Sequence, residues 1–271
     1  MEAWRDLSEL KSFFWGLAWT QPRILSLFIA IPVFHAELMP TQLRLAIAVA
    51  LGLVLVPRLM PEVDVLMASP PGMLMILAKE VLIGFALGCL IAVPFWVLEA
   101  VGFFIDNQRG ASIASTLNPL TGNDSSPLGI LFNQAFIVFF MISGGFLLML
   151  EVLYGSFLLW PVSSWLPQLQ PAGVGFFLHE ILGLVKLALL LASPAIVAML
   201  LAEIGLALVS LVVPQLQVFF LAMAIKSALV FFVLMIYMAT LFDYAGDLLT
   251  PMRDLLPRLD AVWRSAGEAA R

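Results

Sequence analysis

Charged residues are scarce in this sequence. Asp, Glu, Lys and Arg make up 11% of the 271 residues, whereas hydrophobic residues make up 62%. A soluble globular domain has about 25% charged and about 45–50% apolar residues, so this composition excludes that class. The 13 basic and 18 acidic residues sum to a net charge of −5, which argues against a protein that binds nucleic acid.

Cysteine and histidine are also nearly absent, and this limits the redox and metal chemistry open to the chain. The single Cys89 cannot form an internal disulfide, and we expect a small packed side chain there. His35 and His179 share no metal-ligand spacing with cysteine or carboxylate groups. The sequence contains no G-x-S-x-G, H-E-x-x-H, P-loop or G-x-G-x-x-G motif. We therefore expect no catalytic residue, no metal site and no cofactor.

Long apolar runs dominate the chain instead. Because backbone groups in lipid must form their hydrogen bonds within their own segment, such runs predict membrane-spanning helices. The strands of an outer-membrane barrel would alternate apolar with polar residues, and these runs do not. The expected fold class is therefore all-α, an integral membrane protein with several crossings.

Two of the runs are too long for simple crossings. Residues 73–105 would form a helix about 50 Å long, whereas the hydrocarbon layer of a bilayer is roughly 30 Å thick. We expect this helix to be tilted, kinked at Pro94 or placed outside an ordinary crossing. It contains Gly84 and Gly88 in a G-x-x-x-G pair, which indicates either close helix contact or ordinary apolar composition. Residues 128–159 form the second long run.

Local breaks and the C-terminal end give further expectations. In the first run, residues 13–34, Pro22 is expected to end or kink a helix. Residues 176–202 and 204–213 are interpreted as separate runs on either side of Glu203. The tail, residues 242–271, carries charges of both signs and is expected to be a solvated helical segment.

The most informative segment is the polar stretch at residues 106–127, which reads DNQRGASIASTLNPLTGNDSSP. Gly, Asn, Ser and Pro at this density indicate irregular backbone, and connections this long are usually functional or disordered. Ile113, Leu117 and Leu120 recur through it and favour an ordered loop. Two interpretations stay open: a surface loop between membrane helices, or an ordered loop that lines or blocks a passage through an assembly.

Charges inside or beside the apolar runs form a second candidate set. None has an opposite charge three or four residues away along its own helix, and each is costly at the bilayer centre. Partners are therefore expected on other helices, on other chains or in water. The set indicates an ion relay, as in a secondary transporter, or contacts between subunits, unless a bundle interior or a span end holds some of them. Its members are Lys79, Glu80, Glu99, Glu151, Glu180, Lys186, Glu203 and Lys226.

The polar stretch resembles the signature of the SctT family, the T subunits of the export apparatus of type III secretion systems. The flagellar counterpart is the FliR family. The resemblance extends from the first apolar run to Gly246 and includes a Pro-Gln-Leu turn at residues 214–216. The start of the stretch, residues 107–110, is similar to the injectisome branch.

The resemblance implies a non-enzymatic subunit of an export gate in the bacterial inner membrane. Helical hairpins and long kinked helices would join R, S and U-type subunits in a helical assembly that passes unfolded polypeptides. Residues 1–165 would resemble an R subunit and include the loop at 106–127. Residues 166–246 would form an S-like hairpin, and residues 247–271 a polar tail.

The resemblance also assigns roles to individual positions. The family's loop plugs the closed gate, and the family's U-type subunit lies near its hairpin turns. The plug positions are Gln108, Arg109, Gly110, Ser112, Ser115, Thr116, Asn118, Pro119, Gly122, Asn123 and Asp124. The turn positions are Pro214, Gln215 and Gln217. The charges expected to contact neighbouring subunits are Glu99, Glu151, Glu180, Lys186, Glu203 and Lys226. The alternative function, a secondary transporter, would use Glu99, Glu151, Glu180 or Lys186 as its ion relay.

Overall fold

The described part of the chain is built from helices. The computed structural model describes residues 2–63, 70–110, 126–164, 171–213, 218–259 and 261. These residues include no β-strand, and the all-α expectation is confirmed. The helices are α1 (Glu2–Ala30), α2 (Thr41–Leu53), α3 (Val56–Leu59), α4 (Pro70–Arg109), α5 (Pro127–Ile142), α6 (Gly145–Leu159), α7 (Pro171–Val212), α8 (Val218–Asp247) and α9 (Thr250–Arg253).

Three of the described helices, α4, α7 and α8, are long and apolar enough to cross a membrane. The number of crossings rises to five if two bent pairs each form one: α2 with Val56–Glu62, and α5 with α6. With 40 residues, α4 is about 60 Å long, so it exceeds the hydrocarbon thickness as expected.

Proline does not end these helices. α1 continues through Pro22, α4 through Pro94 and α7 through Pro194. An end of the helix at Pro22 is therefore wrong, because an apolar helix tolerates proline where neighbouring groups satisfy the freed backbone. The separation of two runs at Glu203 is wrong for a similar reason, since one charged residue does not interrupt α7. The break between α5 and α6 lies instead at Gly144, whose φ of +84° is in the left-handed region.

The contacts divide the chain into two compact units. One comprises Met1–Ala92, Gly144–Leu178 and Pro251–Arg271, and the other comprises Val93–Ser143 and His179–Thr250. This division follows packing within the chain. The division at residues 165 and 246 follows a likeness to other subunits, and it stays a prediction.

In the first unit, α1 packs closely on α4. A Cβ added at Gly84 would collide with the carbonyl oxygen of Arg23, and one at Gly88 would lie 2.7 Å from the carbonyl oxygen of Leu27. The close-contact interpretation of the G-x-x-x-G pair is therefore confirmed. Next to this contact, the ring of Phe28 stacks on that of Phe34 at a centroid distance of 3.8 Å.

The C-terminal tail is helical in its described part, but it is not simply solvated. Met252, Leu255 and Leu259 are all buried. Met252 lies in α9, whereas Leu255 and Leu259 lie in the helical residues that follow a turn at residue 254, so the apolar face extends across two short helical pieces. The charges between them made this face hard to detect, and the expectation of a solvated segment is wrong for it.

Candidate functional site at the base of the polar loop

Both ends of the polar loop lie among the described residues. α4 ends at Arg109, and Gly110 follows with a φ of +84°, a conformation that a Cβ disfavours and that commonly ends helices. The chain is described again from Ser126, which precedes α5. We call these two ends, residues 106–110 and 126–129, the loop base.

Only part of the predicted site can be placed. Of the plug positions, Gln108, Arg109 and Gly110 belong to the loop base. The other plug positions and the turn positions lie outside the described residues. They are Ser112, Ser115, Thr116, Asn118, Pro119, Gly122, Asn123, Asp124, Pro214, Gln215 and Gln217.

The carboxylate of Asp106 joins the two ends of the loop. Asp106 is 3% exposed. Its Oδ1 pairs with Nη2 of Arg109 at 2.7 Å, on the side where the loop begins. Its Oδ2 accepts hydrogen bonds from Ser126 Oγ at 2.6 Å and from the backbone N–H of Leu128 at 2.9 Å, on the side where the loop returns. Since Leu128 lies in the first turn of α5, the carboxylate also meets the positive end of that helix dipole.

Ser126 uses its hydroxyl twice. While it donates to Asp106, its Oγ accepts a hydrogen bond from the backbone N–H of Gly129 at 2.9 Å and so caps α5. Pro127 occupies the first helical position, where its missing N–H costs nothing. The Ser-Pro pair before an apolar run is an N-terminal helix signal that sequence reasoning treated only as part of a loop.

We call Asp106 and its partners Arg109, Ser126 and Leu128 the clamp. Close backbone packing surrounds it. A Cβ added at Gly102 of α4 would collide with the backbone of Gly129 in α5. One added at Gly129 would lie 3.0 Å from the carbonyl oxygen of Glu99. α4 and α5 therefore meet at their backbones beside Asp106, and below this contact the ring of Phe95 lies 4.7 Å from that of Phe136.

The loop base also contacts α8, which pairs in turn with α7. Lys226 Nζ donates to the carbonyl oxygen of Gln108 at 3.3 Å and pairs with Glu203 Oε2 at 2.8 Å. A cation at this place is favourable because the C-terminal end of α4 carries the negative end of the helix dipole. The guanidinium of Arg109 lies 5.9 Å from the ring centroid of Phe231, near the limit for a cation–π contact.

The charges proposed to contact other subunits have different surroundings. Glu203 and Lys226 satisfy each other, and Glu99 Oε2 accepts a hydrogen bond from Asn133 Nδ2 at 2.9 Å. These three do not require another subunit, while Glu180 also interacts within the chain. Glu151 and Lys186 are exposed and form no ion pair within the described ranges.

A second polar cluster lies in the first unit, and its central residue was missed. Arg23 and Glu80 are fully buried, with Nε–Oε2 at 2.7 Å and Nη2–Oε1 at 3.0 Å. Arg23 also donates to Ser156 Oγ at 3.1 Å and to the carbonyl oxygen of Trp160 at 2.8 Å. Its guanidinium lies 4.1 Å from the ring centroid of Phe157.

Lys79 completes the cluster. Its Nζ lies 3.0 Å from Glu80 Oε1 and donates to the carbonyl oxygens of Pro161, Val162 and Ser164 at 3.1, 2.9 and 2.8 Å. Two cations thus share one carboxylate, and backbone carbonyls accept the remaining donors. The cluster fixes α1, α4 and the segment after α6 to one another, which is a structural role.

Among the residues that the structure describes, no group of three or more His, Cys, Asp or Glu side chains could hold a metal ion. Both polar clusters are made of ion pairs and hydrogen bonds, although Arg109 Nε is buried without a hydrogen-bond partner among the described residues. The arrangement of both clusters is suited to holding the ends of helices in position.

Comparisons with known proteins place the chain in a family. The family model for bacterial export proteins, family 1, matches residues 14–252. Over 189 residues the chain is 37% identical to the Yop proteins translocation protein T of Yersinia pestis, covering 69% of this chain and 71% of the relative. It is 32% identical over 187 residues to the surface presentation of antigens protein SpaR of Salmonella typhimurium, covering 67% of each.

A flagellar protein is also similar. The flagellar biosynthetic protein FliR of Bacillus subtilis is 27% identical over 191 residues, covering 68% of this chain and 71% of the relative. The resemblance to SctT and FliR proteins is thus confirmed. Since the family match runs from α1 to α9 and includes the whole loop base, this chain belongs to the bacterial export proteins, family 1.

Proposed function

We propose that this chain is a subunit of the export gate of a type III protein secretion system in the bacterial inner membrane. Residues 106–127 would form part of the plug that closes a channel for unfolded polypeptides. Membership of the export family supports the secretion role. So do the relatives, because one is named for the translocation of Yop proteins and another for the surface presentation of antigens.

The observation that carries the plug proposal is the clamp at Asp106. A loop that only connects two helices at a surface needs no buried charge at its base. Here one carboxylate with 3% exposure holds the helix before the loop and the helix after it. A gate element needs such a base, because its position relative to the channel must be reproducible each time the gate closes.

Burial supports a role in an assembly. In the most apolar stretch of α4, 61% of the residues are buried within the chain, whereas the corresponding figure is 11% for α7 and for α8. Most of the surface of these two helices is therefore left for lipid or for other chains. We assign R, S and U-type export subunits as the partners, with residues 1–165 in an R-like position and 166–246 in an S-like position.

A non-enzymatic role follows from the same proposal. The clamp and the cluster at Arg23 hold helices, and no reacting group is assigned to either. The tail, residues 247–271, completes the division of the chain, and Met252, Leu255 and Leu259 in its described part are buried.

The deletion of residues 111–125 tests the plug. It removes the loop but keeps Asp106, Arg109 and Ser126. We expect raised leakage of small ions across the inner membrane in cells that assemble the complex. A truncation of residues 262–271 serves as the control, since it also removes a polar segment. Normal leakage in the loop deletion, with normal assembly, would contradict the plug role.

The ion-relay alternative lacks comparable support. Of the residues that the relay would use, Glu99 is hydrogen-bonded to Asn133 and Glu180 also has a partner within the chain. Glu151 and Lys186 are exposed and form no ion pair within the described ranges. Isolation from native membranes separates the two functions. A large complex that copurifies with the chain supports export, whereas a lone chain with ion-dependent solute transport in liposomes supports a transporter.

A further inference from the structure

We infer that Asp106 is a permanent anchor: the end of α4 and the start of α5 stay joined through its carboxylate while the gate is open as well as while it is closed. The inference rests on the proposed function, because it names the positioning residue of the proposed plug. It concerns only the described loop base.

The Asp106 carboxylate has one partner before the loop and two after it. Asp106 meets Arg109 before the loop, and Ser126 and Leu128 after it, so opening the base means losing partners on at least one side. Because Asp106 is almost fully buried, those partners would not be replaced by bulk water. The ion pair with Arg109 would remain, because both residues lie on α4, but the buried carboxylate would lose the two hydrogen bonds from Ser126 and Leu128, which is costly for a charged group.

α4 and α5 pack closely beside the Asp106 carboxylate. Gly102 brings the backbone of α4 against Gly129 of α5, with no space for even a Cβ. Such contact forms only when the two helices are already adjacent, and it leaves no room for water to enter between them. Separation of the helices would therefore expose packed backbone in addition to a charge.

The contact between the loop base and Lys226 is weaker than the contacts at Asp106. Lys226 reaches the carbonyl oxygen of Gln108 at 3.3 Å, and its partner Glu203 has a side chain that is 51% exposed. A single hydrogen bond of 3.3 Å to a neutral carbonyl is weaker than the three shorter contacts of the Asp106 carboxylate. If the base moves relative to α7 and α8 during export, the contact at Lys226 is the one that yields, and the contact at Asp106 holds.

The test replaces the anchor by a reducible bond. The chain carries one native cysteine, so the background is Cys89→Ala, and the test variant adds Asp106→Cys and Ser126→Cys. Ser126 Oγ lies 2.6 Å from Asp106 Oδ2, so the two side chains are direct neighbours, although a cysteine sulfur at residue 106 stands one atom short of Oδ2. Diamide oxidises the two thiols to a disulfide, and dithiothreitol restores them.

We expect the reduced variant to leak small ions and the oxidised variant to be tight, with secretion unimpaired in the oxidised state. Secretion that stops on oxidation and returns on reduction would show that the base must open, and would overturn the inference. If the disulfide does not form in assembled complexes, the two variants Ser126→Ala and Ser126→Thr decide the question.

A second pair of variants keeps the test independent of the disulfide. Ser126→Ala removes the hydroxyl that donates to Asp106, and Ser126→Thr keeps a hydroxyl. We expect Ser126→Ala to raise leakage about tenfold, the shift that the loss of a hydrogen bond to a charged group produces, and Ser126→Thr to restore the normal level. Equal leakage in both would mean that the anchor has no positioning role.

The two proposals fail in different ways. If the deletion of residues 111–125 leaves leakage unchanged, the plug itself is wrong. If that deletion leaks while Ser126→Ala and the reduced double-cysteine variant stay tight, the plug stands and the anchor alone is wrong.

Discussion

The guanidinium of Arg23 donates two parallel hydrogen bonds to the carboxylate of Glu80, Nε to Oε2 at 2.7 Å and Nη2 to Oε1 at 3.0 Å. Both side chains are fully buried. The planar fork of arginine matches a carboxylate in this way, and an ammonium cannot. Three further acceptors or ring contacts, from Ser156, Trp160 and Phe157, surround the same guanidinium. The pair therefore connects α1 and α4 with the end of α6.

Replacing Arg23 by methionine leaves Glu80 with Lys79 alone. We expect a loss of about 3–5 kcal/mol in the free energy of unfolding, the cost of breaking a buried pair. Arg23→Lys should recover only part of it, because a lysine makes one contact where the fork makes two. Denaturant titration of the purified chain in detergent measures both, with Arg253→Met on an exposed position as the control. Wild-type stability in Arg23→Met would contradict this role.

Gly84 and Gly183 offer a matched comparison of two glycines within helices. A Cβ at Gly84 collides with the backbone of Arg23, whereas one at Gly183 has nothing within 4 Å. Gly84→Ala should therefore cost about 1–3 kcal/mol, as overpacking does. Gly183→Ala should be neutral or stabilise by up to about 1 kcal/mol, because alanine favours a helix. Thermal unfolding in detergent provides the readout, and equal effects at the two positions would be inconsistent with close packing of α1 on α4.

Gly144 is constrained by its backbone and not by its neighbours. Its φ is +84°, and an added Cβ would meet nothing within 4 Å. We expect Gly144→Ala to lower stability by about 1–2 kcal/mol, and Gly144→Asn to lower it less, since asparagine tolerates the left-handed region better. The same thermal unfolding assay ranks the two variants. A helix that continues through residue 144 would reverse the result and make alanine the more stable.

The pair of Lys226 and Glu203 should be energetically weak. α7 has 42 residues, about twice what the hydrocarbon layer needs, and Glu203 lies near its C-terminal end with a side chain that is 51% exposed. We therefore expect water to reach this end of the helix and to keep the coupling below about 1 kcal/mol. A double-mutant cycle with Lys226→Met and Glu203→Gln isolates this term from the hydrogen bond to Gln108. A coupling as large as that of the Arg23 pair would mean that α7 and α8 are held to each other as firmly as α1 and α4.

Features set by local pattern could be predicted from the sequence. The apolar run at residues 73–105 predicted α4 to within four residues at each end, since the run itself determines where a helix is stable in lipid. The polar stretch at 106–127 similarly matched the interval between the end of α4 at Arg109 and the start of α5 at Pro127. The glycine pair at 84 and 88 indicated close helix contact as one of two interpretations, and the partner, α1, is known only from the structure.

Features set by partners that are distant along the chain could not be predicted from the sequence. Arg23 follows Pro22, where an end or a kink of the helix was expected, and nothing near it in the sequence indicates its anion, which lies 57 residues away on another helix. The partners of Asp106 could be predicted only in part. Its pairing with Arg109 is visible as an interval of three residues, but its bonds to Ser126 and Leu128 depend on the return of the chain after the loop.

The contacts of Arg23 also impose an order on biogenesis. A ribosome releases α1 with a guanidinium that has no acidic residue one turn away, and the chain must grow by 57 residues before Glu80 exists and by 137 before the carbonyl of Trp160 does. The N-terminal helix can therefore take its final place only after most of the polypeptide has been synthesised. A nascent chain arrested before that point carries a bare cation on its first helix, and we expect quality-control proteases to recognise it.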